Sequence, residues 1–142
     1  MNKDNELLNY IHQNCEMGKD TINQLLNITK DETFIEELRR ELEEYSRIFN
    51  LCNNLIKNTN KEPKDISNIA KVSAYISINI KTLMNKSSSH IAEMMIQGST
   101  MGIIDITKRL KDYDPKNDEI AKLGNELLKV EQNNVESLKR FL

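Results

Sequence analysis

Apolar residues in this chain recur at three- and four-residue spacing over stretches of roughly 25 residues, the signature of long amphipathic helices. Almost nothing interrupts them. The 142 residues include only 4 Gly and 2 Pro, too little turn material for the many short connections of a sandwich or barrel. Trp is absent and aromatics make up 5%, so the core has to be built mainly from Ile, Leu and Met. The length suits one domain over 1–142, and a domain of this size typically buries about two-thirds of its unfolded surface. The expected fold class is all-α, a helical bundle.

Five segments carry the helical pattern. The first covers about Lys3 to Ile28, with Leu8, Ile11, Cys15, Ile22 and Leu25 on one stripe. The second runs from about Glu32 to Asn58, opened by Asp31 as N-cap or by a Thr33–Glu36 capping box. Phe34, Leu38, Tyr45, Ile48, Cys52 and Ile56 form its stripe. The polar stretch ending at Pro63 is the clearest loop, because the proline disfavours helix at Glu62. A third helix, about Ile66 to Met84, is apolar over a wide arc. Its β-branched content would also suit a strand, but its length without turn signals favours helix. The serines at 87 to 89 offer caps for a fourth helix, about Ser89 to Tyr113. Asp114 and Pro115 then supply an N-cap and a proline at the first helical position, so the fifth helix extends from about Pro115 to Leu142.

These lengths constrain the topology. The first, second, fourth and fifth helices are each about 35–40 Å long at 1.5 Å per residue. Short connections make the first two antiparallel, and likewise the last two. The third is long enough to carry the chain from one end of the bundle to the other, which leaves the second and fourth helices parallel. That is an antiparallel four-helix bundle with an additional crossover helix, five helices in all. A plain five-helix up-and-down bundle has the same connectivity and differs mainly in where the third helix packs.

Several function classes are excluded by composition. The formal charge is −2, from 20 basic and 22 acidic residues that are interspersed. No basic block exists to meet nucleic acid or an anionic membrane. The opening MNKDNELLNY lacks a basic flank followed by an apolar stretch, so it does not read as a signal peptide. No run of about 18 apolar residues is present, so no membrane insertion is expected. Cys15 and Cys52 lack C-x-x-C spacing and sit on apolar stripes. They read as buried small hydrophobes in a reduced, cytoplasmic protein. There is no P-loop, dinucleotide fingerprint or nucleophile elbow, and a non-enzymatic role with no cofactor is the leading expectation.

The layout, with HIAEMMIQGSTMGIIDITK in the fourth helix as its most distinctive segment, resembles the ferritin-like family of small bacterial bundle proteins of unknown function. It is also similar to some spore-coat domains. The resemblance covers nearly the whole chain and implies a stress or spore context. It also raises an alternative, a degenerate metal-binding protein holding Fe or Mn. Ferritin-like di-iron sites use a Glu from each of two helices and Glu-x-x-His from each of the others. Here Asn9 stands three residues before His12, and Ser87 three before His90, so the family's ligands do not carry over. The weaker metal candidates are Glu41, Asp105 and Glu131, which fall within or close to apolar stripes, with His12 or His90. Each histidine shares a helix face with a glutamate, Glu16 or Glu93, and reads as a solvated surface pair. A buried carboxylate needs a partner or a raised pKa; for Asp105 the expected partner is His12 or Arg109, and a structure with Asp105 exposed and unpartnered refutes that pairing.

The fourth helix is apolar nearly all round. Met94, Met95 and Met101 cluster on it, Gly98 and Gly102 form a small-residue notch at i, i+4, and Ile103 lies on another side. Small residues allow another helix to approach closely, and Met adapts to irregular partners. Such a helix is either central in the fold or covered by a partner. These six residues are therefore the candidate interface for a protein partner or a homodimer.

Overall fold

A computed structural model describes residues 3–58, 80–113 and 118–142 of the chain. Among them the structure is all-helical, with no strand. Four long helices account for most of it: α1 (Lys3–Leu26), α2 (Glu32–Asn58), α3 (Ser88–Asp112) and α4 (Asp118–Leu138), followed by a short 3₁₀ turn at Lys139–Phe141. The first two agree with the periodicity to within two residues at each end. Of the expected third helix only the C-terminal end lies within the described residues; Ile80 and Lys81 are helical and the chain turns at Thr82. The Asp114-Pro115 boundary also lies outside them.

Local chemistry fixes the helix starts. Asp31 caps α2 by accepting the Thr33 backbone N–H at 3.1 Å, so the simple cap wins over the capping box. Ser87 caps α3 by accepting the His90 N–H at 3.2 Å. At the end of α1, the Thr29 hydroxyl donates to the Leu25 carbonyl at 2.7 Å, satisfying one of the acceptors a helix terminus leaves open.

Two antiparallel hairpins, α1–α2 and α3–α4, make the tightest pairs, and α4 then packs on α2 and, less extensively, on α1. Register is legible in the side-chain contacts. Cys52 meets the Leu8 carbonyl and Phe49 stacks on His12, so α1 and α2 run in opposite directions. Arg40 bonds Asn134, Tyr45 bonds Glu131 and Arg47 pairs with Glu126, so α2 and α4 are also antiparallel. Because α3 opposes α4, α2 and α3 run parallel. Their starts lie together, where the Ser88 hydroxyl donates to Asp31 at 2.9 Å. The end of α2 and the start of α3 therefore lie at opposite ends of the bundle.

The core is aliphatic, as the composition requires. Leu8, Ile11, Leu38, Ile48, Ile106 and Leu127 are all fully buried, each contributing about 1.5–3 kcal/mol relative to exposure. Cys15 and Cys52 are buried and free. Burial pushes both thiols up, Cys52 to about 12, so neither is a nucleophile at neutral pH. No described helix is long and apolar enough to cross a membrane.

Candidate functional site

The distribution of packing leaves a groove on one side of α3. α3 packs along α4 but only sparsely against α1 and α2, and a groove of about 440 Å³ lies between them. Met17 and Ile22 of α1 form one wall, and Met94, Met95 and Met101 of α3 form the other. Its floor is polar: Glu41 and Tyr45 from α2, Ser99 from α3 and Glu131 from α4.

Two acids in this floor are almost completely buried, Glu131 at 3% and Glu41 at 1% exposure. Their environments differ. Glu131 accepts a hydrogen bond from the Tyr45 hydroxyl at 2.9 Å and another from Ser99. Burial raises its pKa to about 7, and the two hydroxyls restrain that rise. Gly102 makes room for the carboxyl, since a Cβ there would stand 3.2 Å from Oε1 of Glu131. Glu41 shares a hydrogen bond with Glu37, one turn earlier on α2. Two carboxyls can share such a bond only if one keeps its proton, and Glu41 is the one that does. Burial, then the bond to Glu37 and its charge, push Glu41 far up. Burial also works to raise Glu37, but the bond from Glu41 and the Arg40 and Arg140 guanidiniums outweigh it and hold that carboxyl down. Arg40 reaches Glu37 at 2.6 Å and Arg140 at 3.4 Å.

Tyr45 is the hinge of this floor. Its ring lies against Gly18, where a Cβ would approach three ring atoms to 3.0 Å. Gly18→Ala should therefore force the buried ring to shift and destabilise the protein by about 1–3 kcal/mol. Thermal unfolding of the variant measures this; an unchanged melting temperature would show that the ring yields freely.

The remaining sequence candidates are scattered. Asp105 is exposed and makes no ion pair or hydrogen bond with the described residues. Neither His12 nor Arg109 partners it, which overturns the pairing expected from the stripe. Position 105 sits on the solvent edge of α3, and Arg109 instead stacks over Tyr10 at 4.3 Å. His12 departs from the surface reading in the other direction. It is buried, stacked on Phe49 at 4.7 Å, and burial lowers its pKa. Its Nδ1 lies 3.9 Å from Glu16, too far for a hydrogen bond. His90 is a surface residue, 3.8 Å from Glu93 near the start of α3.

This arrangement does not fit an iron or manganese centre. No group of three or more ligating side chains among the described residues could hold an ion. Glu41 is engaged with Glu37, Glu131 with two hydroxyls, and neither has an imidazole among its polar partners. Of the interface candidates, Met94, Met95 and Ile103 are half-buried and Met101 is 67% exposed. Gly98 faces open space, while Gly102 is buried beside Glu131. The two glycines thus serve different ends, and the notch is not one continuous contact surface. Sequence reading missed Tyr45 and Ser99 as members of the floor, and Glu37 as the partner of Glu41 behind it. Glu37 and Arg40 beside Glu41 were the available signal, an acid pair and a base within one turn of helix.

Comparison with protein-family models, curated proteins and solved structures returns no match to this chain.

Proposed function

We propose that this chain is a non-enzymatic bundle protein that acts through protein–protein contacts, as a homodimer built on the α3 face. The observation that supports it most is the exposure of apolar side chains along a helix that should be covered. Met101 is 67% and Ile104 48% exposed on α3, on the same helix as the half-buried Met94 and Met95, with Ile103 half-buried on another side. Exposed apolar side chains close together on one helix, as Met101 and Ile104 are, mark contact sites in proteins, and Met suits a surface that must adapt to a partner. The ferritin-like assignment belongs to the same reading. The parallel run of α2 and α3 supports it, and a bacterial stress or spore role follows from that resemblance alone.

Sedimentation velocity tests the contact. The wild-type chain should sediment as a dimer at micromolar concentration, and Met101→Glu should be monomeric with unchanged helicity by circular dichroism. A wild-type chain that is monomeric throughout the accessible concentration range rejects the homodimer.

A further inference from the structure

The groove floor supplies acid without base. Glu131 and Glu41 both line it, and no Lys, Arg or His does so among the described residues. The third buried acid, Glu37, lies outside the groove and is met by two guanidiniums. Among the described residues Glu131 is met only by the uncharged hydroxyls of Tyr45 and Ser99, and Oε2 of Glu41 has no hydrogen-bond partner. A carboxylate in that setting lacks a counter-ion. The walls above it are mostly hydrocarbon and thioether, with Asn14, Thr21 and Gln97 as uncharged polar exceptions, and the volume falls in the range of small-molecule sites. An apolar body gains from the walls, a cation gains from the floor, and an anion is opposed by it.

We infer that the groove between α1 and α3 binds a small organic ammonium ion, with its apolar body against Met17, Ile22, Met94 and Met95 and its N–H groups donating to the Glu131 carboxylate. This goes beyond the protein-contact reading and does not depend on it. Glu41 keeps its proton on the side of Glu37, so Glu131 carries the charge that the ammonium meets. Among the described residues, the other titratable groups facing Glu131 are Tyr10 and Cys15 of α1 and Glu41 and Tyr45 of α2, all kept neutral near pH 8 by burial, and α3 contributes only the non-titrating Ser99.

Three probes with one hydrocarbon chain and different heads separate these contributions: n-octylammonium, n-octanol and n-octanoate, titrated calorimetrically into the full chain at pH 8. Octylammonium should bind once per chain, at least tenfold more tightly than octanol, and octanoate should not bind. Glu131→Gln keeps the shape and the hydroxyl contacts, so it should bring octylammonium down to the affinity of octanol. Equal affinities in the wild type, or a preference for ammonium that survives Glu131→Gln, would overturn the inference, the latter placing the cation on surface acids. A second measurement does not rely on a variant. Saturating octylammonium should move the Glu131 carboxyl titration, followed by its ¹³C shift, to lower pH; an unmoved titration also overturns the inference. The contact reading fails separately: a monomeric chain that binds octylammonium rejects the dimer alone, and a dimer that ignores octylammonium, together with an Ile104→Glu monomer that also ignores it, rejects the cation site alone.

Discussion

Between pH 5 and pH 8 the wild-type protein should lose about 2–3 kcal/mol of stability relative to Glu131→Gln. The carboxyl of Glu131 is raised by burial from an ordinary 4.5 to about 7. Over that interval the folded chain holds a proton that the unfolded chain releases. The stabilisation is complete below the unfolded value, declines as pH rises, and is gone above the folded one. Glu41 works in the same direction, since its raised pKa also favours folding at low pH. Glu37 has the opposite sign, and its contribution is lost only as pH falls through the acid range. His12 also opposes, because a depressed histidine stabilises the fold above its ordinary value and loses that contribution below it. Comparison with Glu131→Gln removes these shared terms. Urea unfolding of both proteins at pH 5 and pH 8 measures the difference, and parallel pH dependences would show that Glu131 ionises normally in the folded chain.

Phe34→Ala is expected to lower stability by about 3–5 kcal/mol, the usual range for emptying an aromatic site in a core. Phe34 is fully buried near the start of α2. Its ring meets the edge of Phe141, in the 3₁₀ turn after α4, at 4.9 Å and 71°. The substitution thus removes buried area and also one of the contacts that tie the C-terminal turn to α2, leaving Arg140 on Glu37. Domains typically have only about 5–15 kcal/mol to lose, so the urea midpoint should fall far. A loss below about 1 kcal/mol would mean that neighbouring side chains collapse into the space.

Much of the fold was legible because α1 and α2 repeat their apolar positions without ambiguity. Leu8, Ile11, Cys15 and Ile22 could fall on only one stripe, and all are buried. Asp31 and the serine group also marked helix starts where caps form. Glu131 and Glu41 stood out because acids are rarely central on such stripes. Asp105 misled for a related reason. α3 is apolar on most sides, so its pattern does not say which side faces inward, and placing Asp105 within an apolar stripe chose the wrong edge. Tyr45 and Ser99 could not be assigned to Glu131 from periodicity, because their meeting depends on the register among three helices. That register is set by packing, for instance by the approach of Gly18 to Tyr45 and of Gly102 to Glu131.

The pairing of α1 with α2 and of α3 with α4 has a kinetic side. Each hairpin forms from segments adjacent in sequence, where closing the loop costs little. Their union is different: the Arg40–Asn134 and Tyr45–Glu131 bonds join residues 94 and 86 positions apart. Folding is then expected to proceed as two early halves and a later docking step, limited by the longer-range search. Glu131 meets Tyr45 only across that seam, so the acid at the centre of the groove leaves water last. Conditions that keep it charged should slow the docking itself as well as weaken the finished bundle.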